Sequence, residues 1–427
     1  MKVPARFKVG ITRYTPADAD DLLAFQLATF GPGVRQVDAG RAAWLFDRNP
    51  CRTDDDTRDL WVCRRNDAIV GQQAEIPFDL KAGRHERRAA WAVDLMVDDA
   101  WRLRGVGPAL VSTQLDHREI VAGLNLSDKG HATYTRGGWT DLGIVPVYLR
   151  PLDLGRAARL GSVPGRIARL SPVAGPALQA ADRAADAMLR AAGARLVPID
   201  RFDERVDAVW QDAARHYPVL ARRDLASLRW RIDDRPDHAR MQRFYLVARG
   251  RAVGYVVFRA AGTADAPTAV IVDYLAAPRW VAPLLVATGN VARRQGAIAM
   301  SVKTRNEAAD RHLRAAGFVR RERGTDEPLR FMVRCGDGTV ADLVEEPENW
   351  FITSADSDLE YAMTPGGTPG MASSATTGPA TPPSADTPPS GPTTLEPTTL
   401  EPTPAADSTH PEPTTLEPTI ADQPEAP

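Results

Sequence analysis

The apolar and polar positions of this chain change period in ways that mark its elements. "ITRY", from Ile11, reads as a short strand, and Thr15 followed by Pro16 reads as a helix N-cap with proline at the first helical position. "LWVC" from Leu60 and "AIVGQQAEI" from Ala68 are strand-like runs joined by the polar turn "RRND", which predicts a hairpin. "RRAAWAVDLMV" reads as a buried strand ending at Val97, and "PALVSTQLDHREIVAGL" from Pro108 as a helix. Strands alternating with helices of these lengths predict an α/β (α+β) mixed sheet with helices on its faces.

The same order recurs. Trp44 precedes Pro50 by six residues, as Trp230 precedes Pro236. Strand-turn-glycine segments end at Gly71 and Gly254, "DLMV" at Asp94 parallels "DYLA" at Asp273, Asn125 parallels Asn306, and "GGW" parallels "AGF". The near-constant offset predicts duplicated halves: 1–150 and 199–363. Between them, residues 151–198 read as an Arg/Ala-rich helical connector, with seven arginines and two aspartates from 155 to 198, broken near Pro164 and again between Pro172 and Pro176. Its basic amphipathic pattern fits a solvated face between domains; lying on a membrane surface is the other reading.

Composition narrows the function classes. Residues 364–427 carry 16 of the 35 prolines, no aromatic residue and three copies of "TTLEPT", and cannot bury enough apolar surface to offset the entropy of ordering, so a disordered tail is predicted. That tail also holds eight acidic residues and no Lys or Arg, so the formal charge of -2 conceals a mildly basic body. No concentrated basic run suggests a nucleic-acid partner. Three cysteines without CxxC spacing support neither a disulfide framework nor a zinc site, and no metal site is expected. With no apolar leader in "MKVPARFKVGITRY" and no long apolar run, the expectation is a cytoplasmic protein.

Candidate chemistry gathers after Val97. Arg102, Leu103, Arg104, Gly105, Val106 and Gly107 lie between a strand and a helix that starts with Pro108. Glycine lets backbone approach a ligand and turn several N–H groups into one concavity, and the helix N-terminus favours an anion such as a pyrophosphate. The spacing fits neither the dinucleotide fingerprint nor the P-loop. Asp94 stands inside an apolar strand, where a carboxylate needs a reason to exist, although Asp273 holds the equivalent place in the other half. Glu75, on the preceding strand, is a second candidate base. His117 and His131 read as surface or helix-end residues.

The motif Arg102-x-x-Gly105-x-Gly107 after the fourth strand, with Asn125 and "YTRGGW" from Tyr134, resembles the acyl-CoA motif and following elements of the GNAT superfamily of N-acetyltransferases. The resemblance is close over residues 7–150 and only in outline over 199–335, where "AAPRWVAPLLVATG" has no glycine pair after Arg279. It implies two tandem GNAT-like acyl-CoA N-acyltransferase domains, the second degenerate. It further implies acetyl-CoA as co-substrate, held by the main chain near Leu95, Met96 and Val97 and by the glycine loop, and a small-molecule amine acceptor such as an amino sugar. Tyr134 would be the general acid, with Asp94, Glu75 or water deprotonating the amine. A non-catalytic acyl-CoA-binding or regulatory module is the rival expectation.

Overall fold

The computed structural model describes residues 10–31, 34–52, 58–160, 165–321 and 329–362, with backbone alone at 165–168 and 360. The expected tail at 364–427 and the expected helix break near Pro164 lie outside the described residues.

The chain runs β1 (Gly10–Arg13), α1 (Ala19–Phe30), α2 (Ala39–Ala42), β2 (Leu60–Arg65), β3 (Ala68–Ala82), β4 (His85–Val97), α3 (Val106–His117), β5 (Ile120–Leu124), α4 (Asp128–Arg136), β6 (Thr140–Ile144) and β7 (Val147–Pro151). Two helices follow, α5 (Leu154–Arg159) and α6 (Gly165–Ala191). Then come β8 (Ala194–Ile199), α7 (Arg205–Ala214), β9 (Val219–Ala221), α8 (Leu225–Leu228), β10 (Gln242–Ala248), β11 (Arg251–Gly262), β12 (Pro267–Ala276), α9 (Pro278–Arg294), β13 (Ala299–Arg305), α10 (Asp310–Ala315), β14 (Val319–Arg321), β15 (Arg330–Cys335), α11 (Ala341–Val344) and β16 (Trp350–Thr353).

The strands form two arrays of the same order. One is β1-β2-β3-β4-β5-β15-β6, the other β8-β10-β11-β12-β13-β7-β14. In each, the pair β4/β5 or β12/β13 is parallel and the surrounding pairs are antiparallel. The arrays exchange a strand. β15 inserts antiparallel between β5 and β6, while β7, from the earlier part of the chain, inserts antiparallel between β13 and β14. Two short strands, β9 and β16, join β3 of one array to β13 of the other. Every described residue falls in one compact unit.

The hydrophobic alternation finds its faces here. Trp91, Phe78, Phe331 and Trp350 pack on one another in the first core; Phe202, Tyr255, Tyr274 and Phe351 belong to the second. Trp44 and Trp230 meet within the first core: each indole N–H donates to the other's backbone carbonyl at 2.8 Å. Both follow short helices that widen into a π-type turn, so the repeated Trp-Pro pattern of the sequence becomes a reciprocal contact.

Thr15 caps a 3-10 turn with Pro16 at its first position, and Asp18 completes the reciprocal pair of bonds. Two expectations fail. The helix from Pro108 stops at His117, and Ile120–Leu124 is a strand, because a five-residue apolar run buried on both faces pairs parallel to β4. α6 runs unbroken through Pro172 and Pro176. Both prolines are exposed, so the donors they lack fall on the solvent side.

Candidate functional site

The register of β4 prepares the site. Gln72 pairs with Met96 and Ala74 with Val93, so Asp94 and Leu95 together oppose the single residue Gln73. This bulge puts Asp94 at φ +54°, a conformation that is costly for a non-glycine residue. Ala90, Trp91 and Ala92 pair with β5, and among the described residues 93–97 have no strand partner on that side. Leu95 and Val97 are half-buried there; Met96 points into the core.

Beyond Val97 a 3-10 turn is capped by Asp98, and the chain reaches α3 through Leu103 at φ +61° and Gly105 at φ +86°. Glycine adopts such a conformation freely, and leucine does not. Leu103 is fully exposed. Arg102 pairs with Asp99, and Arg65 and Arg104 both stand over the Trp101 ring. The N–H groups of Gly105, Val106 and Gly107 have no acceptor among the described residues. Gly107 has ordinary helical geometry, and a Cβ there would meet nothing nearer than Val97 and Thr133 side-chain carbons at 3.8 Å. Packing does not require glycine at 107; close approach of a ligand backbone would. Val97, Gly107 and Thr133 therefore lie together, each half-buried, beside the exposed loop. Asn125 sits at the end of β5 at φ +63°, its N–H bonded to the Arg330 carbonyl of the exchanged strand.

Tyr134 is buried on α4 and its hydroxyl donates to Gln73 Oε1 at 3.0 Å. Burial holds the phenol well above its usual range, so it stays protonated. Glu75 is also fully buried, and burial pushes its carboxyl up to about 8 although Arg118 Nε lies 3.3 Å away. Arg118 also pairs with Asp59, and the two line a cavity of about 520 Å³ with Arg13, Trp61 and His117. Asp94 has both oxygens engaged: Arg41 donates to one at 2.9 Å and Gln36 to the other at 3.1 Å. Arg41 is itself clamped by Asp358, delivered from just after β16. Burial alone would raise Asp358, but Arg35 and Arg41 beside it overcome that and hold it at about 2.

Gln73, Gln36, Arg41 and Asp358 were absent from the sequence reading. Arg41 and Arg223 stand 182 positions apart, within the range of the other repeats, and that parallel could have pointed to part of this cluster. His117 stacks on Trp61 at the exposed end of α3, and His131 bonds Asp141 at 2.8 Å. Among the described residues no three His, Cys, Asp or Glu side chains gather as a metal would need, and no helix is long and apolar enough to cross a membrane.

The architecture matches solved structures over most of its length. A GCN5-related N-acetyltransferase from Anabaena variabilis ATCC 29413 superposes with TM-score 0.54 at 14% identity, covering 79% of this chain and 75% of that one. The fold is that of the GCN5-related N-acetyltransferases. A conserved protein of unknown function from Enterococcus faecalis V583 shares it, with TM-score 0.52 at 10% identity over 78% of this chain and 74% of that one. No family model matches the chain, and no curated protein matches its sequence.

Within this N-acetyltransferase fold the second array differs where the first is open. β12 and β13 also part after a bulge, yet Tyr274, Leu275, Ala276 and Ala277 are wholly buried. Tyr274 shares bonds with Thr304 and Asn306, Tyr217 donates to the Ala276 carbonyl at 2.6 Å, and Phe351 packs against both tyrosines. Asp273 answers to Asp94: Arg223 lies 3.3 Å from it, Tyr255 and Thr353 donate to it at 2.7 Å, and Asp356 clamps the arginine.

Proposed function

We propose that the protein is an acyl-CoA-dependent N-acyltransferase with one working site, on β4, α3 and α4. The observation that carries this reading is the α3 N-terminus, whose N–H groups at Gly105, Val106 and Gly107 have no acceptor among the described residues, next to the part of β4 that has no strand partner. A pyrophosphate would sit at the α3 N-terminus, where aligned backbone dipoles and Arg102 and Arg104 favour negative charge. Leu103 and Val106 belong to the same loop, Asn125 at the end of β5 would complete the cofactor site, and the main chain of Leu95, Met96 and Val97 would pair with the pantetheine arm. Acetyl-CoA is the simplest donor, and the acceptor is a small-molecule amine such as an amino sugar.

Bound side by side, the thioester and the amine react at high effective concentration, and a β4 N–H would stabilise the oxyanion. Tyr134, kept protonated by burial, would supply the sulfur with a proton as the C–S bond breaks. For the amine, Asp94 lies toward the α1–α2 side but is neutralised by Arg41, which suits a structural pin. Glu75 is largely protonated at neutral pH and is ionised, and so able to accept a proton, only above about pH 8, so a base role there would show as activity rising in that range. Water is the remaining acceptor.

The test is acetyl-CoA consumption by the full chain with a mixture of glucosamine, lysine, spermidine and a short peptide, followed as free thiol. Turnover supports the enzyme. Tight acetyl-CoA binding with no thiol released in any mixture would instead establish the binding-module reading.

A further inference from the structure

Gln73 is the residue that faces the bulge, and its amide makes three bonds with no exposed surface. Nε2 donates to the Val93 carbonyl at 2.8 Å and to the Ala74 carbonyl at 3.1 Å; Oε1 accepts the Tyr134 hydroxyl at 3.0 Å. These partners fix which way the amide points. Two carbonyl oxygens can be met only by the NH2 group, so the oxygen must face Tyr134, and Tyr134 must be the donor. The bulge explains why the Val93 carbonyl needs a side-chain donor: the shifted register removes Gln73 from the residue pairs of the ladder, and a buried carbonyl left alone would be costly.

We infer that Gln73 is a positioning residue for acyl transfer, holding the Tyr134 hydroxyl and the Val93–Asp94 peptide in one fixed relation. The inference rests on the acyltransferase reading above. A trans peptide points its C=O and the next N–H in opposite directions, so drawing the Val93 oxygen to Gln73 turns the Asp94 N–H the other way. One side chain thereby sets the proton donor for the sulfur and the orientation of a main-chain donor on β4. During transfer the amine nitrogen forms a bond to the acyl carbon, the C–S pair leaves on sulfur, and sulfur takes the Tyr134 proton. The phenolate is reprotonated by an equivalent of the proton the amine sheds. Tyr134 must release its bond to Gln73 as it gives that proton up, and Gln73 is placed to receive it again.

The experiment is a double-mutant cycle on the full chain, using acetyl-CoA and the amine mixture. Gln73→Met, close in size and without polar atoms, should lower kcat roughly ten- to a hundredfold with the KM for acetyl-CoA within about twofold. Tyr134→Phe should do the same, and the double variant should be no slower than Tyr134→Phe alone. Gln73→Glu guards against misfolding of the first variant. As a carboxylate it cannot donate to the Val93 carbonyl, and when protonated it can, so its kcat relative to the parent should recover as pH falls from 8 to 6. If Tyr134→Phe is slow while Gln73→Met keeps full kcat, or if the two losses multiply, the positioning role is overturned and the enzyme reading stands. A fully active Tyr134→Phe, or a parent without turnover, overturns the reading and this inference with it.

Discussion

Leu95 and Tyr274 each follow the strand aspartate of their array, yet one is half-buried and the other is sealed under Phe351. The two arrays share strand order, bulge, aspartate and arginine clamp. They part in what fills the space after the bulge and in the loop that follows it. Shared features therefore maintain the fold, and the features that differ are where function is to be sought. By that criterion Asp94, matched by Asp273 in a closed array, is a fold residue first, whereas Gly105 and Gly107 have no counterpart in the helix opening of "PRWVAPLL".

The largest effect expected from breaking this contrast is at Gly107. Gly107→Val should weaken acetyl-CoA binding by roughly a hundredfold or more by filling the approach to the α3 N-terminus, with the melting curve still cooperative. Calorimetry on the parent should give one acetyl-CoA per chain. A stoichiometry of two would show that the aromatic infill of the second array gives way.

Next in size are the clamps. Arg223→Ala leaves Asp273 and Asp356 buried without their cation and should cost about 3–5 kcal/mol in denaturant unfolding. Arg41→Ala, which leaves Asp94 with Gln36 and Asp358 with Arg35, should cost somewhat less. An Arg41 variant as stable as the parent but inactive would contradict the structural assignment of Asp94. Tyr274→Ala should cost about 3 kcal/mol through a cavity, and Leu95→Ala much less, since its site is already partly open.

The last effect depends on pH. Glu75 has its folded pKa raised to about 8 from 4.5, so its contribution to stability is complete below pH 4.5 and is lost as pH rises through 8. Glu75→Gln mimics the protonated form and leaves Arg118 paired with Asp59. The variant should match the parent near pH 4.5 and become more stable than it toward pH 8, by on the order of a few kcal/mol. Parallel melting temperatures across that range would mean that Glu75 is ionised in the folded protein.

The local part of this structure was legible in the sequence. Gly105, Pro108 and the run up to Val97 announce a strand, a tight loop and a helix because each choice acts on its own neighbourhood. The aspartate repeat was legible as a pattern. The strand exchange was not, since "VYLRP" and "RFMVRC" have the same strand character whichever neighbour they join, and nothing in a period-two pattern names the partner. Arg41 and Asp358 are 317 positions apart, so their meeting depends on the whole topology. Gln73 looked like an ordinary polar strand residue until the bulge gave its amide three partners.

The traded strands also set a schedule for biosynthesis. The slot between β5 and β6 is filled by residues 330–335, so the earlier array stays unfinished until the ribosome has passed Cys335. At ordinary elongation rates that is a wait of roughly 10–40 s with two strand edges bare. Cutting the gene between the arrays would yield two pieces, each lacking a strand carried by the other. Such pieces should recover their structure only when produced together, as a split reporter does, and the first to emerge should lean on chaperones meanwhile.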